Sequence, residues 1–208
     1  MKHGNRVVDA KSDELIERVF EELYTPTFSV FQNEYQPPDF YRHHLKTDDD
    51  NPKAHMLVCD PDNPSGFLIF ELYEKSMCAL VTYIAIKPSE RGKGISRLLF
   101  NEAFRIFKEK GVKASYAEVH NPSAIDPQKD IMNPDDRLKI FKRLGGEILP
   151  IKYAQPPLEK GLEFSKDFFL LTFHMESGLE NMRSFLHEFY QLLEIDNPDE
   201  DENFLSMF

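Results

Sequence analysis

One stretch narrows more than any other what this chain can fold into. The apolar run Tyr83-Ile84-Ala85-Ile86 stops at Lys87-Pro88, and the polar stretch Ser89-Glu90-Arg91-Gly92-Lys93-Gly94 follows. Ile95, Leu98, Leu99, Ala103, Ile106 and Phe107 then recur at helical spacing as far as Lys110, and Gly111 is a natural stop. The order is strand, glycine loop, helix. Glycine lets backbone amides approach an anion closely, and a helix start adds unpaired N–H groups and its dipole. Arg91 and Lys93 add positive charge. The stretch therefore reads as a phosphate cradle. It lacks the Lys-Ser/Thr ending of a Walker loop and the full dinucleotide fingerprint.

The rest of the chain arranges itself around that motif. Val7–Ala10 predicts a short strand, and Ser12 an N-cap with Asp13 and Glu14 in the first turn. Leu15, Ile16, Val19, Phe20 and Leu23 form the stripe of that helix, bounded by Pro26. Phe28 to Leu45 is aromatic and is broken at Pro37-Pro38, which predicts one short helix after the prolines or two flanking them. After a polar loop from Thr47 to Lys53, Ala54–Cys59, Phe67–Tyr73 and Met77–Ile86 read as an antiparallel meander. Beyond the long helix come a strand over Val112–Val119, a loop over Ser123–Pro134 and a helix opened by Asp135 or Asp136 and ended by Gly145-Gly146. Strands are expected at Glu147–Tyr153 and Asp167–His174, separated by a break at Gln155-Pro156-Pro157. A last helix carries Leu179, Met182, Phe185, Leu186, Phe189 and Leu193 on one face. Glu194 to Glu202 reads as a frayed, solvated tail whose closing Phe204–Phe208 docks or stays loose.

Composition excludes several classes. Of 208 residues, 41% are hydrophobic and 29% charged, an ordinary globular balance and neither a disordered nor a collagen-like one. The net charge of −11 lacks the basic footprint that nucleic acid requires. Cys59 and Cys78 each lie in an apolar run and read as buried thiols, with no disulfide framework or metal spacing. The first residues lead into no signal-peptide core, and no run approaches the roughly 20 apolar residues that span a bilayer. The expectation is a soluble, cytoplasmic protein that binds no metal, membrane or nucleic acid.

Arg91 to Ser96, after a strand and before an amphipathic helix, resembles the acyl-CoA pyrophosphate loop of the GNAT N-acetyltransferase superfamily. The family pattern is Arg or Gln, two residues, Gly, one residue, then Gly or Ala. Arg91 and Gly94 match, and the small Ser96 stands where Gly or Ala is usual. The element order is also similar from Val7 to Phe173, which leaves the last helix and the acidic tail as an addition. The resemblance implies an α/β (α+β) fold, with a mixed central sheet of about six to seven strands flanked by helices. It implies an acyl-CoA-binding domain over residues 1–175, with an extra helix and tail over 176–208. It further implies acetyl-CoA as donor and transfer of an acetyl or short acyl group to a primary amine of a small molecule or protein. Ile84, Ala85 and Ile86 would pair with the pantetheine arm through their backbone. Arg91, Gly92, Lys93, Gly94, Ile95 and Ser96 would hold the pyrophosphate. Asn121 resembles an asparagine that many members place near the cofactor, and Leu138–Gly146 resembles their late helix.

Two departures bear on catalysis. The late helix has Phe141 where many members have a tyrosine that acts as general acid. The strand before the loop has Leu80 and Thr82 where members with a direct base carry Glu or His. Glu118 and His120, which share a strand face with Tyr116, are the substitutes expected to manage the proton. Their plain readings are a rim carboxylate paired with a lysine and a loop histidine. Phe31, Tyr35, Glu71 and Tyr153 are expected to border the acceptor; the aromatics could equally cover the sheet, Glu71 could face solvent, and Tyr153 is read as a strand residue. The face of the terminal helix fits its own sheet or a second subunit, so a homodimer is one expected outcome. The alternative to an enzyme is a non-catalytic acyl-CoA-binding sensor or protein-interaction module on the same fold.

Overall fold

The computed structural model describes residues 5–30, 35–47, 50–126, 130–158, 162–173 and 179–208. Phe31 and His174 lie outside the described residues, as does the side chain of Leu179. The chain is a mixed α/β fold with a seven-stranded sheet flanked by helices, as expected. It divides into two compact units, Met1–Leu72 with Leu80–Val112, and Tyr73–Ala79 with Lys113–Phe208.

In the first unit β1 (Val7–Asp9), β2 (Lys53–Cys59), β3 (Gly66–Tyr73) and β4 (Cys78–Ile86) follow one another in chain order. The β1–β2 and β2–β3 pairings are antiparallel, with Val8 opposite Val58 and Met56 opposite Ile69. β2 is buried along nearly its whole length because helices cover it. The covering layer begins at α1 (Asp13–Val19), where the Ser12 hydroxyl accepts from the Leu15 amide at 3.4 Å. Pro26 does not end this helical run. The Thr25 amide bonds back to the Phe20 carbonyl across a widened π turn, Phe20–Tyr24. The proline's missing N–H then falls in the first turn of α2 (Thr25–Phe28), where its absence costs little. α3 (Pro38–His44) opens directly on the second proline of the pair. Ile16, Val19, Phe20, Leu23, Tyr24 and Tyr41 pack on Met56, Val58, Phe67, Ile69 and Tyr83. α4 (Ile95–Lys110) has the predicted bounds, and Gly111 caps it in the left-handed region at φ 69°.

In the second unit β5 (Ala114–His120), β7 (Phe168–Phe173) and β6 (Gly146–Ile148) lie in that order, antiparallel. Asn133, not an aspartate, caps α5 (Pro134–Arg143), accepting from the amides of Asp135 and Asp136. The strand expected over Glu147–Tyr153 stops at Ile148. One further pairing runs from the Leu149 amide to the Leu170 carbonyl, and Pro150 can donate nothing after it. α6 (Leu179–Leu192) lays its apolar face on its own chain: Phe185 stacks on Tyr116 at 4.6 Å and meets Tyr73 edge-on at 5.2 Å. The Glu188 carboxylate, only 3% exposed as a residue, accepts from the backbone amides of Lys75 (3.1 Å) and Ser76 (2.8 Å) and so closes the β3–β4 turn. The acidic tail is not frayed throughout. Asp201 caps α7 (Glu202–Leu205), Phe204 packs edge-on to Tyr190, and Arg183 lies over the Phe204 and Phe208 rings. Cys59 and Cys78 are buried free thiols.

Candidate functional site

One candidate site lies at the join of β4 and α4, within the first unit. Gly92 and Gly94 both adopt the left-handed backbone, at φ 79° and 83°, which L side chains rarely hold. A Cβ built on either would meet nothing within 4 Å, so the loop's outer surface is open. Gly94 is the N-cap of α4 and no side chain bonds the first amides of that helix, so donors that have no partner inside the helix face outward. Arg91, Gly92, Lys93 and Gly94 are exposed, whereas Ile95 anchors the helix start in the core. Arg91 Nε bonds the Ile86 carbonyl at 3.4 Å, which draws its guanidinium to the end of β4. Lys93 Nζ pairs with Glu90 at 2.9 Å. Donors at a capless helix start, glycines that permit close approach and two flanking cations suit a pyrophosphate-like anion.

Gly66 is what brings these parts together, and the sequence showed it only as a turn residue. A Cβ there would lie 2.6 Å from Ile86 Cδ1, 3.0 Å from the Ala85 carbonyl oxygen and 3.1 Å from Ile95 Cγ2. The start of β3 can therefore press against the end of β4 and the start of α4 only without a side chain. The Lys87 amide donates to the Ser65 carbonyl at 2.9 Å beside it. Ile84 and Ile86 are half-buried, and Ala85 is buried.

The other candidates of the first unit are more enclosed than expected. Glu71 does not face solvent: it is 6% exposed and accepts from the Tyr41 hydroxyl at 3.3 Å. The Tyr35 ring lies tilted against Tyr24, 5.4 Å between centroids, and its hydroxyl lies 3.4 Å from Thr25 Oγ1. The Tyr24 hydroxyl donates to the Gln36 carbonyl at 2.7 Å, and the Gln36 amide donates to the Tyr83 hydroxyl at 3.2 Å. Burial, then the charge and hydrogen bonding of neighbouring tyrosines, pushes the Tyr24 phenol far above its ordinary value. Burial and the Glu71 charge do the same to Tyr41. Leu80 is buried and Thr82 spends its hydroxyl on the Ile69 carbonyl at 3.2 Å, so neither manages a proton.

In the second unit Glu118 is half-buried and held by hydroxyl and amide donors. Its carboxylate accepts from the Tyr153 hydroxyl on one oxygen and from Gln155 Nε2 (2.9 Å) on the other. Tyr153, predicted on a strand, is instead in an irregular segment. That segment is fixed by the Gln155–Ser165 bridge and by the Tyr190 hydroxyl on the Ala154 carbonyl at 2.5 Å. Burial, then the Glu118 charge, holds the Tyr153 phenol well above its ordinary value, so it remains a donor. His120 stacks on Phe168 at 4.5 Å, and its Nδ1 lies 2.8 Å from Arg137 Nη1. Asn121 closes its own turn by accepting from the Ser123 amide at 3.0 Å. Phe141 packs in the core, 6.3 Å from Phe173. Reading the sequence placed Gln155 only at a break and missed Arg137 and Glu188, polar residues whose burial only the tertiary fold creates. Among the described residues no group of three or more His, Cys, Asp or Glu could hold a metal ion.

Residues 17–126, more than half of the chain, match the model of the acetyltransferase (GNAT) family. The chain belongs to that family. Its fold is similar to that of a protein described as a GNAT-family acetyltransferase from Bacteroides thetaiotaomicron, at 19% identity and a TM-score of 0.68, over 90% of this chain and 97% of that one. It is also similar to the PaiA N-acetyltransferase of Thermoplasma acidophilum in complex with coenzyme A, at 15% identity and a TM-score of 0.54, over 82% and 99%. An acetyltransferase of Bacillus subtilis in complex with CoA matches at 17% identity and 0.53, over 83% and 99%. No curated protein is matched. The glycine loop at the start of α4 leaves backbone donors facing outward, and Glu118 and His120 stand near the end of β5.

Proposed function

We propose that this GNAT acetyltransferase transfers an acetyl group from acetyl-CoA to a primary amine of a small molecule or protein. The observation that carries the reading is the loop Arg91–Ser96, with Gly92 and Gly94 in the left-handed region at a helix start that no side chain caps. Its amides, with Arg91 and Lys93, would hold the pyrophosphate, and the backbone of Ile84, Ala85 and Ile86 would pair with the pantetheine arm. Asn121 belongs to the same proposal. When bound, acetyl-CoA supplies an acyl group already activated as a thioester, so positioning provides much of the rate.

Glu118 is the proposed proton acceptor for the amine, directly or through a water. Tyr153 and Gln155 each hold one of its oxygens, which keeps the carboxylate in one orientation. Glu71, Tyr35, Tyr153 and Phe31 are the proposed acceptor-side residues. Residues 1–175 form the proposed acyl-CoA-binding domain and 176–208 an addition to it. We further propose a cytoplasmic protein that self-associates; Leu192, Leu205 and Phe208 are 38%, 48% and 48% exposed and would be covered in a dimer. No helix among the described residues is long and apolar enough to cross a membrane.

The test is release of free CoA thiol from acetyl-CoA on addition of each member of an amine panel. Acceptor-dependent release that falls about 100-fold or more in Glu118→Gln supports the reading. Tight acetyl-CoA binding with no turnover on any amine or lysine peptide would favour the sensor alternative.

A further inference from the structure

We propose that Arg137 is a positioning residue that holds His120 as its Nε2–H tautomer, with the lone pair of Nδ1 turned to the guanidinium. The proposal rests on the acetyl-transfer reading given above. A guanidinium has five N–H donors and no acceptor. With Arg137 Nη1 at 2.8 Å, Nδ1 of His120 must present its lone pair, and the ring proton then resides on Nε2. Arg137 cannot swing away freely. Its Nη2 bonds Asp130, whose side chain is fully buried, and its own side chain is 19% exposed. The ring is held from its face as well, 4.5 Å from Phe168 and nearly parallel at 23°. Carboxylate, guanidinium and imidazole thus form a chain in which every bond has a fixed donor.

This divides the two candidates at the end of β5. Glu118 and His120 share a strand face, being two residues apart. Glu118 is an acceptor in both of its hydrogen bonds to Tyr153 and Gln155, whereas the ring hydrogen of His120 is left on Nε2 once Nδ1 accepts from Arg137. Nε2 is buried in this structure, so that N–H could meet a developing oxyanion or an acceptor's carbonyl oxygen only once the site opens, while the proton removed from the amine goes to Glu118. Arg137 carries no local signature of this role, because only α5 docking on β5 brings it to His120.

The experiment is a nitrogen-15 two-bond correlation spectrum of the histidine rings in the full chain, with His120 assigned by its loss in His120→Gln. The expected result is a pyridine-type Nδ1 and a pyrrole-type Nε2 at neutral pH. In Arg137→Met the pattern moves toward mixed tautomers, and in Arg137→Lys, which keeps a donor, it largely returns. Acetyl transfer falls about 10- to 100-fold in Arg137→Met, and adding His120→Gln costs little more, while acetyl-CoA affinity stays within about twofold. A proton on Nδ1 in the unmodified protein overturns the proposal even if Arg137→Met fails to fold. An unchanged ring spectrum, or unchanged turnover, in Arg137→Met overturns it too. If the unmodified protein shows the predicted tautomer but transfers no acetyl group to any amine, the acetyl-transfer reading has failed and the tautomer assignment stands.

Discussion

Replacing Gly66 with alanine tests how the loop is aimed. The added Cβ would come within 2.6 Å of Ile86 Cδ1, 3.0 Å of the Ala85 carbonyl and 3.1 Å of Ile95 Cγ2. The first neighbour is the end of a flexible side chain and can rotate. The second is backbone, and the third belongs to a β-branched residue with few rotamers. Relief therefore requires the end of β4 or the start of α4 to shift by a few tenths of an ångström. Such overpacking costs about 1–3 kcal/mol, with a melting shift of roughly 2–4 °C per kcal/mol for a chain of this size. Ile86→Val removes the nearest atom, so the double variant is expected to recover about 0.5–1.5 kcal/mol relative to the sum of the single changes. Urea unfolding of the four proteins gives the cycle, and acetyl-CoA titration of each shows whether the loop moved with the strand. A Gly66→Ala protein within about 0.5 kcal/mol of the parent, or strictly additive changes, would refute the steric reasoning.

Three further outcomes are expected. Glu188→Ala leaves the Lys75 and Ser76 amides without their buried carboxylate and should cost about 2–4 kcal/mol in urea unfolding, with Glu188→Gln costing less; equal stability would show that the turn closes without it. Burial pushes the Cys78 thiol up to about 11 from 9.0, so roughly 100-fold less of it is thiolate, and a disulfide reagent at pH 8 should modify it only once urea is added. Burial raises the Asp9 carboxyl, but the hydrogen bond and charge of His55, with Lys11, outweigh this and hold it below its ordinary value. Its contribution is then full above the ordinary carboxyl range, about pH 4, and is lost as pH falls through the folded value, so Asp9→Asn should flatten the acid limb of a stability–pH curve.

Local signals marked most of the scaffold. The periodicity from Ile95 to Phe107, closed by a glycine that can turn left-handed, placed α4 at its observed bounds. Ser12 announced its cap, and the glycine pair announced a loop that turns left-handed at Gly92 and Gly94. Two breaks misled in opposite directions. Pro26 looked like a stop, but a widened π turn absorbs it. The strand expected over Glu147–Tyr153 spans Pro150, but β6 ends at Ile148 and Tyr153 lies in an irregular segment. The polar residues were hardest to read, for a physical reason. Whether Glu71, Glu118 or Glu188 meets water or a hydroxyl, amide or backbone donor depends on elements far away in the chain. Their identities alone made them solvent-facing by default. Arg137 became visible only through the imidazole it touches.

Titration calorimetry with acetyl-CoA, on the full chain and on Gly94→Glu, tests the central claim most directly. Gly94→Glu would put a side chain and a negative charge at the N-cap of α4, where the backbone stands at φ 83°. Micromolar binding to the parent is expected, and binding at least about tenfold weaker to the variant, through lost dipole and amide contacts and added repulsion. Parent protein that is folded by its melting curve and gives no heat with acetyl-CoA would contradict it.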